Sequence, residues 1–223
     1  DSGPRPEDQA DLYAAALDTL EIERAAILGF SSGAASAVHF AARYPDRTTA
    51  LFLDTAILLP FEPPISRLRR ATFEAAPFVW LSTQLAMRWP KLMARSMISG
   101  VSRGLSREQK RAAAAWITSD PDRLRSLQEQ FMSVAPRSHR KAGWTNDLAN
   151  ERDLDPLPFA EVAARTVIAH GTNDAIVPTE HAATAADQIA GAELLLVEEG
   201  HHLLSLSRGY RPVAKRQLEL AHC

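Results

Sequence analysis

The chain has 223 residues, of which 46% are hydrophobic and 23% charged, and its formal net charge is −2. This composition is that of an ordinary globular protein with one domain, or one domain and an insertion. It argues against a nucleic-acid or membrane-surface partner, because such partners select a strongly basic face. The single cysteine, Cys223, excludes an internal disulfide and a cysteine-based zinc site, and it fits a reducing, cytoplasmic location. No apolar run is long enough to predict a membrane-spanning helix.

The first part of the chain predicts the order helix, strand, helix, strand. A helix is expected over 6–20, where a proline and two acids suit the first turn and apolar residues recur at helical spacing. The apolar runs 25–30 and 48–53 have the length of strands buried on both faces, as parallel sheets require. Small residues between these runs lead into a second helix, which Pro45 ends.

The middle of the chain changes character and predicts a helical insertion between two strands. Its aromatic and methionine side chains suit apolar ligands, although they are more readily the insertion's own core. Its arginines are expected on a solvated face, with selection of a substrate carboxylate as the alternative. The segment 144–147 is interpreted as a turn that could approach a pocket. The helix-like stretches are 66–74, 79–97, 106–117 and 122–132.

Alternation of strands and helices resumes after the insertion, which predicts a parallel sheet with helices on its faces. We therefore expect a core in two segments, 1–57 and 161–223, separated by a helical cap or lid over 58–160. The elements predicted in the second core segment are strands 165–170 and 193–197 and helices 179–189 and 211–220.

The stretch Gly29-Phe30-Ser31-Ser32-Gly33 matches the pattern G-x-S-x-G and joins a predicted strand to a predicted helix. A serine on such a sharp turn exposes its hydroxyl from a strained backbone, and the flanking glycines let strand and helix approach each other. The positive end of the next helix favours the anion formed in acyl transfer. The pattern alone also fits an ordinary tight junction of an α/β protein, so the serine needs partners to be identified as a nucleophile.

Two polar segments follow the later predicted strands. Asp174 lies in a glycine-containing loop after the strand 165–170, where it could instead serve only to cap a turn. His201 and His202 follow the last strand, next to Gly200. Open parallel sheets place their sites beyond the carboxyl ends of the strands, and the chain order serine, acid, histidine is that of an α/β-hydrolase triad. The residues themselves leave both histidines open as the base.

The stretches ILGFSSGAASAVHFAARYPDRTTALFLD and VIAHGTNDAIVPTEHAATAADQIAGAELLLVEEGHHLL resemble the nucleophile and the acid–histidine regions of α/β-hydrolase family esterases and lactonases. The resemblance covers the segments 6–56 and 160–206. It implies the α/β-hydrolase fold, a parallel sheet with flanking helices and a helical cap insertion. It also implies a serine–histidine–aspartate triad that needs neither a metal nor an organic cofactor.

The resemblance assigns roles to four residues. Ser31 would attack the carbonyl, and Asp174 would orient the imidazole that takes the proton of the serine. The backbone N–H of Ser32 would supply one oxyanion donor. Phe30, beside the nucleophile, is expected to contact the substrate.

Members of this family commonly carry glycine, then the catalytic histidine, then two leucines. Aligning the two leucines after position 202 makes His202 the favoured base and leaves His201, where a glycine is common, as the alternative. Asp54, which ends the strand after the nucleophile motif, is a rival acid to Asp174. Solvated or core roles are expected for the other histidines, which are His39, His139, His170, His181 and His222.

The function expected from these features is hydrolysis of a small-molecule carboxylic ester or lactone. The alternatives are another reaction of the same triad, either carbon–carbon bond hydrolysis or cofactor-free perhydrolysis, and a non-catalytic or inactive protein of this fold. Haloalkane dehalogenation is disfavoured because that branch of the family uses an aspartate where this chain has Ser31.

Only 30 residues precede Ser31, fewer than in members of the family. We therefore expect the N-terminal strands of the fold to be missing, together with the loop that supplies the second oxyanion donor. The strand before Ser31 would then form an exposed edge of the sheet.

Overall fold

The computed structural model describes residues 4–62, 84, 88–133 and 137–221, with only the backbone described over 137–141. Its sheet consists of four parallel strands in the order β1-β2-β3-β4. The strands are β1 (Ala25–Phe30), β2 (Thr48–Asp54), β3 (Arg165–Gly171) and β4 (Glu193–Val197). The predicted parallel sheet is therefore confirmed, and all four strands run their carboxyl ends to one edge.

The helices of the two core segments follow their predicted positions to within one or two residues. They are α1 (Pro6–Thr19), α2 (Ala34–Arg43), α7 (Glu180–Gln188) and α8 (Arg211–Ala221). The helices between β2 and β3 in the described residues are α3 (Pro90–Val101), α4 (Arg107–Thr118), α5 (Pro121–Ser133) and α6 (Arg137–Arg152).

The sheet is covered on both faces, which explains the unbroken apolar run of β2. Leu51 and Leu53 point to the face that α2 and α7 cover, whereas Phe52 points to the opposite face, where it packs with Leu220 of α8. Successive residues of a strand point to opposite faces, so a strand between two helical layers needs apolar residues at every position.

β1 is not buried on both faces, as the length of its apolar run suggested, and instead forms the exposed edge that was expected for the strand before Ser31. It lies at the edge of the described sheet, and Leu28 is 53% exposed. Leu28 is paired with Phe52 in the sheet. Phe52 packs in a buried cluster with Leu220 of α8, whereas Leu28 is outside that cluster. The apolar run itself does not show this exposure, because its residues are of the same kind at the centre and at the edge of a sheet.

The helices between β2 and β3 partly match the prediction. Those expected over 106–117 and 122–132 are confirmed, whereas the expected 66–74 lies outside the described residues. Of the helix expected over 79–97, Gln84 and Arg88 are helical, Trp89 is not, and α3 then runs from Pro90 to Val101. Buried side chains of α3–α5 and of the chain after β4 share one cluster, which consists of Met93, Ala94, Ile98, Ala114, Ile117, Leu127, Leu203 and Leu206.

The interpretation of 144–147 as a turn is wrong, since this segment lies within α6. Among its described side chains Trp144 and Leu148 are the large apolar ones, so the apolar periodicity that reveals an amphipathic helix is weak in its sequence. It nevertheless reaches the edge of the sheet where the strands have their carboxyl ends, since its Glu151 accepts the hydroxyl of Ser32.

Candidate functional site

Ser31 occupies a strained turn directly after β1. Its φ angle is 51°, in the left-handed region that few residues other than glycine adopt. A short 3₁₀ turn, Ser31–Gly33, then leads into α2. A side chain at Gly29 would place its Cβ 2.7 Å from the Cα of Ala34, so this glycine permits the close approach of strand and helix.

The second glycine of the motif has no such steric role. A Cβ at Gly33 would meet nothing within 4 Å, and its φ angle is −70°. The expectation that both glycines allow close backbone contact is therefore wrong for Gly33, because Gly33 is exposed and no backbone packs against it.

Asp174 lies in the loop after β3, with its side chain only 1% exposed. Its Oδ1 accepts the backbone N–H groups of Ile176 (2.7 Å) and Val177 (3.0 Å). Its Oδ2 lies 2.9 Å from Nδ1 of His202. The carboxylate therefore caps its own turn and also binds an imidazole, so the two interpretations of this residue are compatible.

His202 lies between the acid and the serine. Its Nε2 is 3.1 Å from Oγ of Ser31, while its Nδ1 binds Asp174. The ring of Phe30 is tilted against the imidazole, with 5.3 Å between ring centroids. Phe30 itself is 40% exposed, so its ring forms an apolar surface next to the serine hydroxyl.

His201 points elsewhere. It is 1% exposed, and neither of its ring nitrogens has a hydrogen-bond partner among the described residues. Burial lowers its pKa to about 4, more than nearby Asp174 raises it. The structure thus brings His202, and not His201, together with Ser31 and Asp174.

Two glycines bring the acid and histidine loops into contact. A Cβ at Gly171 would lie 2.4 Å from the carbonyl carbon of Gly200, and one at Gly200 would lie 2.8 Å from the Cα of Gly171. The backbones therefore touch where the two loops leave β3 and β4. Any side chain at either position would force the loops, and with them the imidazole and its acid, apart.

Asp54, the rival acid, is bound to other partners. Its Oδ2 accepts the hydroxyl of Tyr210 (2.7 Å) and its Oδ1 accepts Nε2 of Gln217 (2.8 Å). Burial raises the pKa of this carboxyl, and the two hydrogen bonds lower it by less. Asp54 therefore connects the end of β2 to α8 and its approach, and neither of its oxygens binds His202.

The inter-strand helices are joined directly to the acid and histidine loops. The carbonyl of Val101, at the end of α3, accepts the backbone N–H groups of Ala175 and His202 at 3.2 Å each. Arg103 and Asn173 add a reciprocal pair, since each donates an N–H to the other's backbone carbonyl at 2.8 Å. The position of α3 is thus coupled to the position of the imidazole.

Sequence reasoning missed Glu151, on α6. The hydroxyl of Ser32 donates to Oε1 of Glu151, which is 7% exposed. Burial raises the pKa of Glu151, and the hydrogen bond from Ser32 lowers it by less. A cleft next to Ser32 is lined by both residues and by Asp147 and Ile57. The sequence does contain two acids four residues apart, Asp147 and Glu151, but such pairs are usual on solvated helices and did not indicate a contact with Ser32.

The remaining histidines whose side chains are described have structural contacts. His170 binds the carbonyl of Val177 through Nε2 (3.0 Å), and Nδ1 of His181 accepts the backbone N–H of Leu58 (3.0 Å). His39 lies on α2, with its Nε2 4.0 Å from a carboxylate oxygen of Glu7. The side chains of residues 139 and 222 lie outside the described part of the chain.

Within the described residues, no group of three or more His, Cys, Asp or Glu side chains could hold a metal ion. No helix in the same part of the chain is both long and apolar enough to cross a membrane.

Comparison with known proteins places these features in context. A family model described as the α/β-hydrolase fold matches residues 2–208. A solved α/β-hydrolase fold protein from Nakamurella multipartita has 32% identity and a TM-score of 0.90, and the match covers 98% of this chain and 76% of that one.

Two curated relatives are more distant. An uncharacterised hydrolase of Bacillus subtilis is 25% identical over 217 residues, which are 88% of this chain and 68% of the relative. A 2-hydroxymuconate semialdehyde hydrolase of a Pseudomonas species is 28% identical over 200 residues, 87% of this chain. The chain spans only 61% of the length of that second relative.

Proposed function

Since the chain belongs to the α/β-hydrolase fold family, we propose that it is a serine hydrolase that cleaves a carboxylic ester or lactone of a small to medium apolar substrate. The observation that carries this proposal is the unbroken hydrogen-bond path from Asp174 through His202 to Ser31, with contacts of 2.9 and 3.1 Å. An acid, an imidazole and a hydroxyl in this order form an activated nucleophile.

The proposed reaction has two halves. In the first, Oγ of Ser31 attacks the ester carbonyl and His202 Nε2 takes the serine proton. The tetrahedral intermediate then expels the alcohol, which leaves with the proton from His202, and an acyl-enzyme remains. In the second half, water gives a proton to His202 as its oxygen attacks the acyl carbon. The second tetrahedral intermediate then expels Oγ of Ser31, which takes this proton back from His202, and the acid is released. Asp174 holds the imidazole in the required orientation and stabilises its charged form.

The surroundings of Ser31 support the other roles in this proposal. Ser32 lies at the start of the turn into α2, where the first backbone N–H groups of a helix lack intrahelical acceptors. We assign its N–H to the developing oxyanion. Phe30, whose ring is exposed beside His202, would contact the apolar part of the substrate.

We also propose that residues 58–160 act as a cap over the core segments 1–57 and 161–223. Support comes from the backbone bonds that join Val101 to the acid and histidine loops, and from the contact between Glu151 and Ser32. A cap held at these points would shape the acyl pocket and exclude water. A cytoplasmic location stays a prediction.

A second candidate is hydrolysis of a carbon–carbon bond by the same three residues. It is favoured by one observation, the similarity to a 2-hydroxymuconate semialdehyde hydrolase. The two candidates are separated by substrate: an ester hydrolase turns over simple aryl esters, whereas a carbon–carbon hydrolase requires a ketone activated for cleavage.

Turnover of p-nitrophenyl butyrate tests the proposal. Replacing Ser31 by alanine is expected to lower kcat/KM by about 10³-fold or more, because the nucleophile is lost and only binding and the oxyanion site remain. Ser119→Ala is the matched control, since Ser119 is exposed, lies outside the cleft and donates its hydroxyl to the backbone carbonyl of Trp116. Ester turnover that is equal in Ser31→Ala and the unaltered protein would end the serine-hydrolase proposal.

A further inference from the structure

The turn that carries Ser31 is held by contacts with segments outside β1 and α2. The φ angle of Ser31 is 51°, and a residue keeps such a strained backbone conformation only where neighbouring groups enforce it. The backbone carbonyl of Ser31 accepts the N–H of Ile57 at 3.1 Å. The hydroxyl of Ser32 donates to Oε1 of Glu151, on α6. The strained turn is therefore fixed both by the chain after β2 and by a helix that lies between β2 and β3.

Glu151 is itself held in place by contacts other than that with the nucleophile turn. Its backbone carbonyl accepts the N–H of Phe61 at 2.7 Å. The side chains of Asn146 and Asn150, on the same helix, each donate from Nδ2 to the backbone carbonyl of Pro4 at 2.7 Å. The carboxyl therefore projects from a part of α6 that two other segments of the chain fix. Its hydrogen bond can position the nucleophile turn, because the acceptor has a fixed place of its own.

The carboxyl of Glu151 is poorly compensated for its burial. The residue is 7% exposed, and burial raises its pKa by more than the hydrogen bond from Ser32 lowers it. Of the described residues that shift this pKa, none is lysine or arginine. A buried carboxyl with so few partners destabilises a fold more than it stabilises it. The contact with Ser32 therefore favours a role of Glu151 in the site over a role in stability.

The hydrogen bond to Glu151 acts on the residue that is proposed to bind the oxyanion. The N–H of Ser32 and the Cβ that carries its hydroxyl are both attached to the Cα of Ser32, so a fixed hydroxyl restricts the orientation of the N–H. An oxyanion donor must lie about 2.7–3.1 Å from the place that the oxyanion takes in the transition state. A displacement of about 1 Å can lower a rate by about 10²-fold.

We propose that Glu151 is a positioning residue, which holds the Ser32 hydroxyl so that the N–H of Ser32 stays directed at the oxyanion. The inference rests on the proposed ester hydrolysis at Ser31 and adds to it a residue from α6. In this role the carboxyl does not touch the substrate and acts through Ser32 alone. Since α6 belongs to the proposed cap, the oxyanion site depends on the position of the cap.

Glu151→Ala removes the acceptor of the Ser32 hydroxyl. We expect kcat for p-nitrophenyl butyrate to fall about tenfold and KM to stay within about threefold, because the oxyanion forms in the transition state and not in the bound substrate. Glu129→Ala is the matched control, since Glu129 is an exposed glutamate on α5. It should leave both kinetic parameters within about twofold. An unchanged kcat in Glu151→Ala would overturn the proposal.

Glu151→Gln separates the acceptor from the charge. The amide oxygen of glutamine accepts a hydrogen bond from Ser32 as the carboxyl does, while the negative charge is lost. We expect this variant to keep kcat within about threefold of the unaltered protein. A loss as large as that of Glu151→Ala would overturn the proposal, because it would assign the effect to the charge of the carboxyl and not to the hydrogen bond.

A double-mutant cycle tests whether Glu151 acts through Ser32. Ser32→Ala removes the hydroxyl and keeps the backbone N–H, so it should lower kcat by about the same factor as Glu151→Ala. The double variant should be no slower than either single variant, because both remove the same hydrogen bond. Losses that multiply in the double variant would show two independent roles and overturn the proposal. A residue that only stabilised the fold would lower the fraction of active protein and leave kcat per active site unchanged.

A fluorophosphonate probe separates failure of this inference from failure of the proposed ester hydrolysis, because it reacts with an activated serine and needs no ester. The rate of Ser31 labelling should fall about tenfold in Glu151→Ala and recover in Glu151→Gln. If the unaltered protein hydrolysed no ester and labelling still followed this pattern, the ester hydrolase would be overturned and the role of Glu151 retained. Ester turnover and labelling that are both unaffected in Glu151→Ala would overturn the role of Glu151 and retain the hydrolase.

Discussion

Two buried acids stand at the carboxyl ends of neighbouring strands, and only one of them faces an imidazole. Asp54 ends β2 and is 4% exposed, while Asp174 follows β3 with its side chain 1% exposed. Both oxygens of each carboxyl accept hydrogen bonds. Both carboxyl groups are thus buried at the ends of neighbouring strands, and position alone does not distinguish the acids.

The partners distinguish them. Asp54 binds a phenol and an amide, which are neutral groups that join the sheet to α8 and the turn before it. Asp174 uses backbone N–H groups to hold one oxygen and turns the other to His202, which in turn reaches Ser31. The hydrogen-bond partner of the second oxygen therefore decides the role of a buried acid at a strand end. A neutral partner gives it a structural role, and an imidazole that contacts a serine gives it a place in the proposed triad.

The largest expected effect comes from removing the charge of the acid that faces His202. Asp174→Asn should lower kcat/KM for p-nitrophenyl butyrate by about 10⁴-fold, because an amide would not hold the imidazole in the tautomer that accepts the serine proton. Circular dichroism would establish that the fold is retained. A loss of less than tenfold in folded protein would show that Asp174 is not the orienting acid.

His201, the histidine that does not reach Ser31, makes folding stability depend on pH. His201 is buried and its pKa is about 4, below the 6.5 of an exposed histidine. Between these values the unfolded state binds the proton and the folded state does not, so folding stability is lost as the pH falls from about 6.5 to 4. The loss is roughly 3 kcal/mol.

His201→Leu removes this titration and two unpartnered nitrogens. Urea unfolding at about pH 7.5 and about pH 4.5 should show that the variant loses roughly 2–3 kcal/mol less than the unaltered protein between the two values. Its ester turnover at neutral pH should stay within about threefold, since His201 does not reach Ser31. Equal acid sensitivity in both proteins would contradict the assignment of this titration to His201.

A smaller effect is expected at Asp54, the acid whose hydrogen bonds hold β2 to the end of the chain. Tyr210→Phe removes the hydroxyl that binds Asp54 Oδ2 and leaves that buried oxygen without its donor. The variant should lose about 1–3 kcal/mol of unfolding free energy. Its kcat/KM should be unchanged within about threefold, and a larger loss of activity in folded protein would place Asp54 in the reactive path.

The smallest effect is expected for Asp54→Asn, the counterpart of Asp174→Asn. The new amide can accept from Gln217 and donate to Tyr210, whose own hydrogen then turns to the Gln217 Oε1 at 2.9 Å. All three groups remain paired, so stability should change by less than about 1 kcal/mol and turnover by less than about threefold. Similar activity losses in the two asparagine variants would erase the distinction between the acids.

Much of this organisation could be predicted from the sequence. Apolar runs and the small residues after them predicted the strands, and the loop positions predicted that Ser31, Asp174 and one of the two adjacent histidines would meet. The family resemblance then favoured His202 over His201. This prediction was possible because parallel strands bring their carboxyl ends to one edge of the sheet, so side chains in the loops that follow them lie close together.

Other features depend on distant contacts and left no local pattern. Helix α6 has only weak apolar periodicity, and nothing in the sequence links Glu151 to Ser32, which lies 119 positions away. The two partners of Asp54 likewise come from the end of the chain. Pairings of this kind are set by tertiary packing and are not visible in any window of sequence.

Labelling with a fluorophosphonate probe tests the central claim that Ser31 is an activated nucleophile, without knowledge of the substrate. Such a probe phosphonylates an activated serine and releases fluoride, and peptide mass spectrometry identifies the modified residue. We expect one label, on the peptide that contains Ser31, and its loss in Ser31→Ala and in His202→Ala, with labelling retained in His201→Leu. A label on another residue, or labelling of Ser31 that persists without His202, would contradict the account.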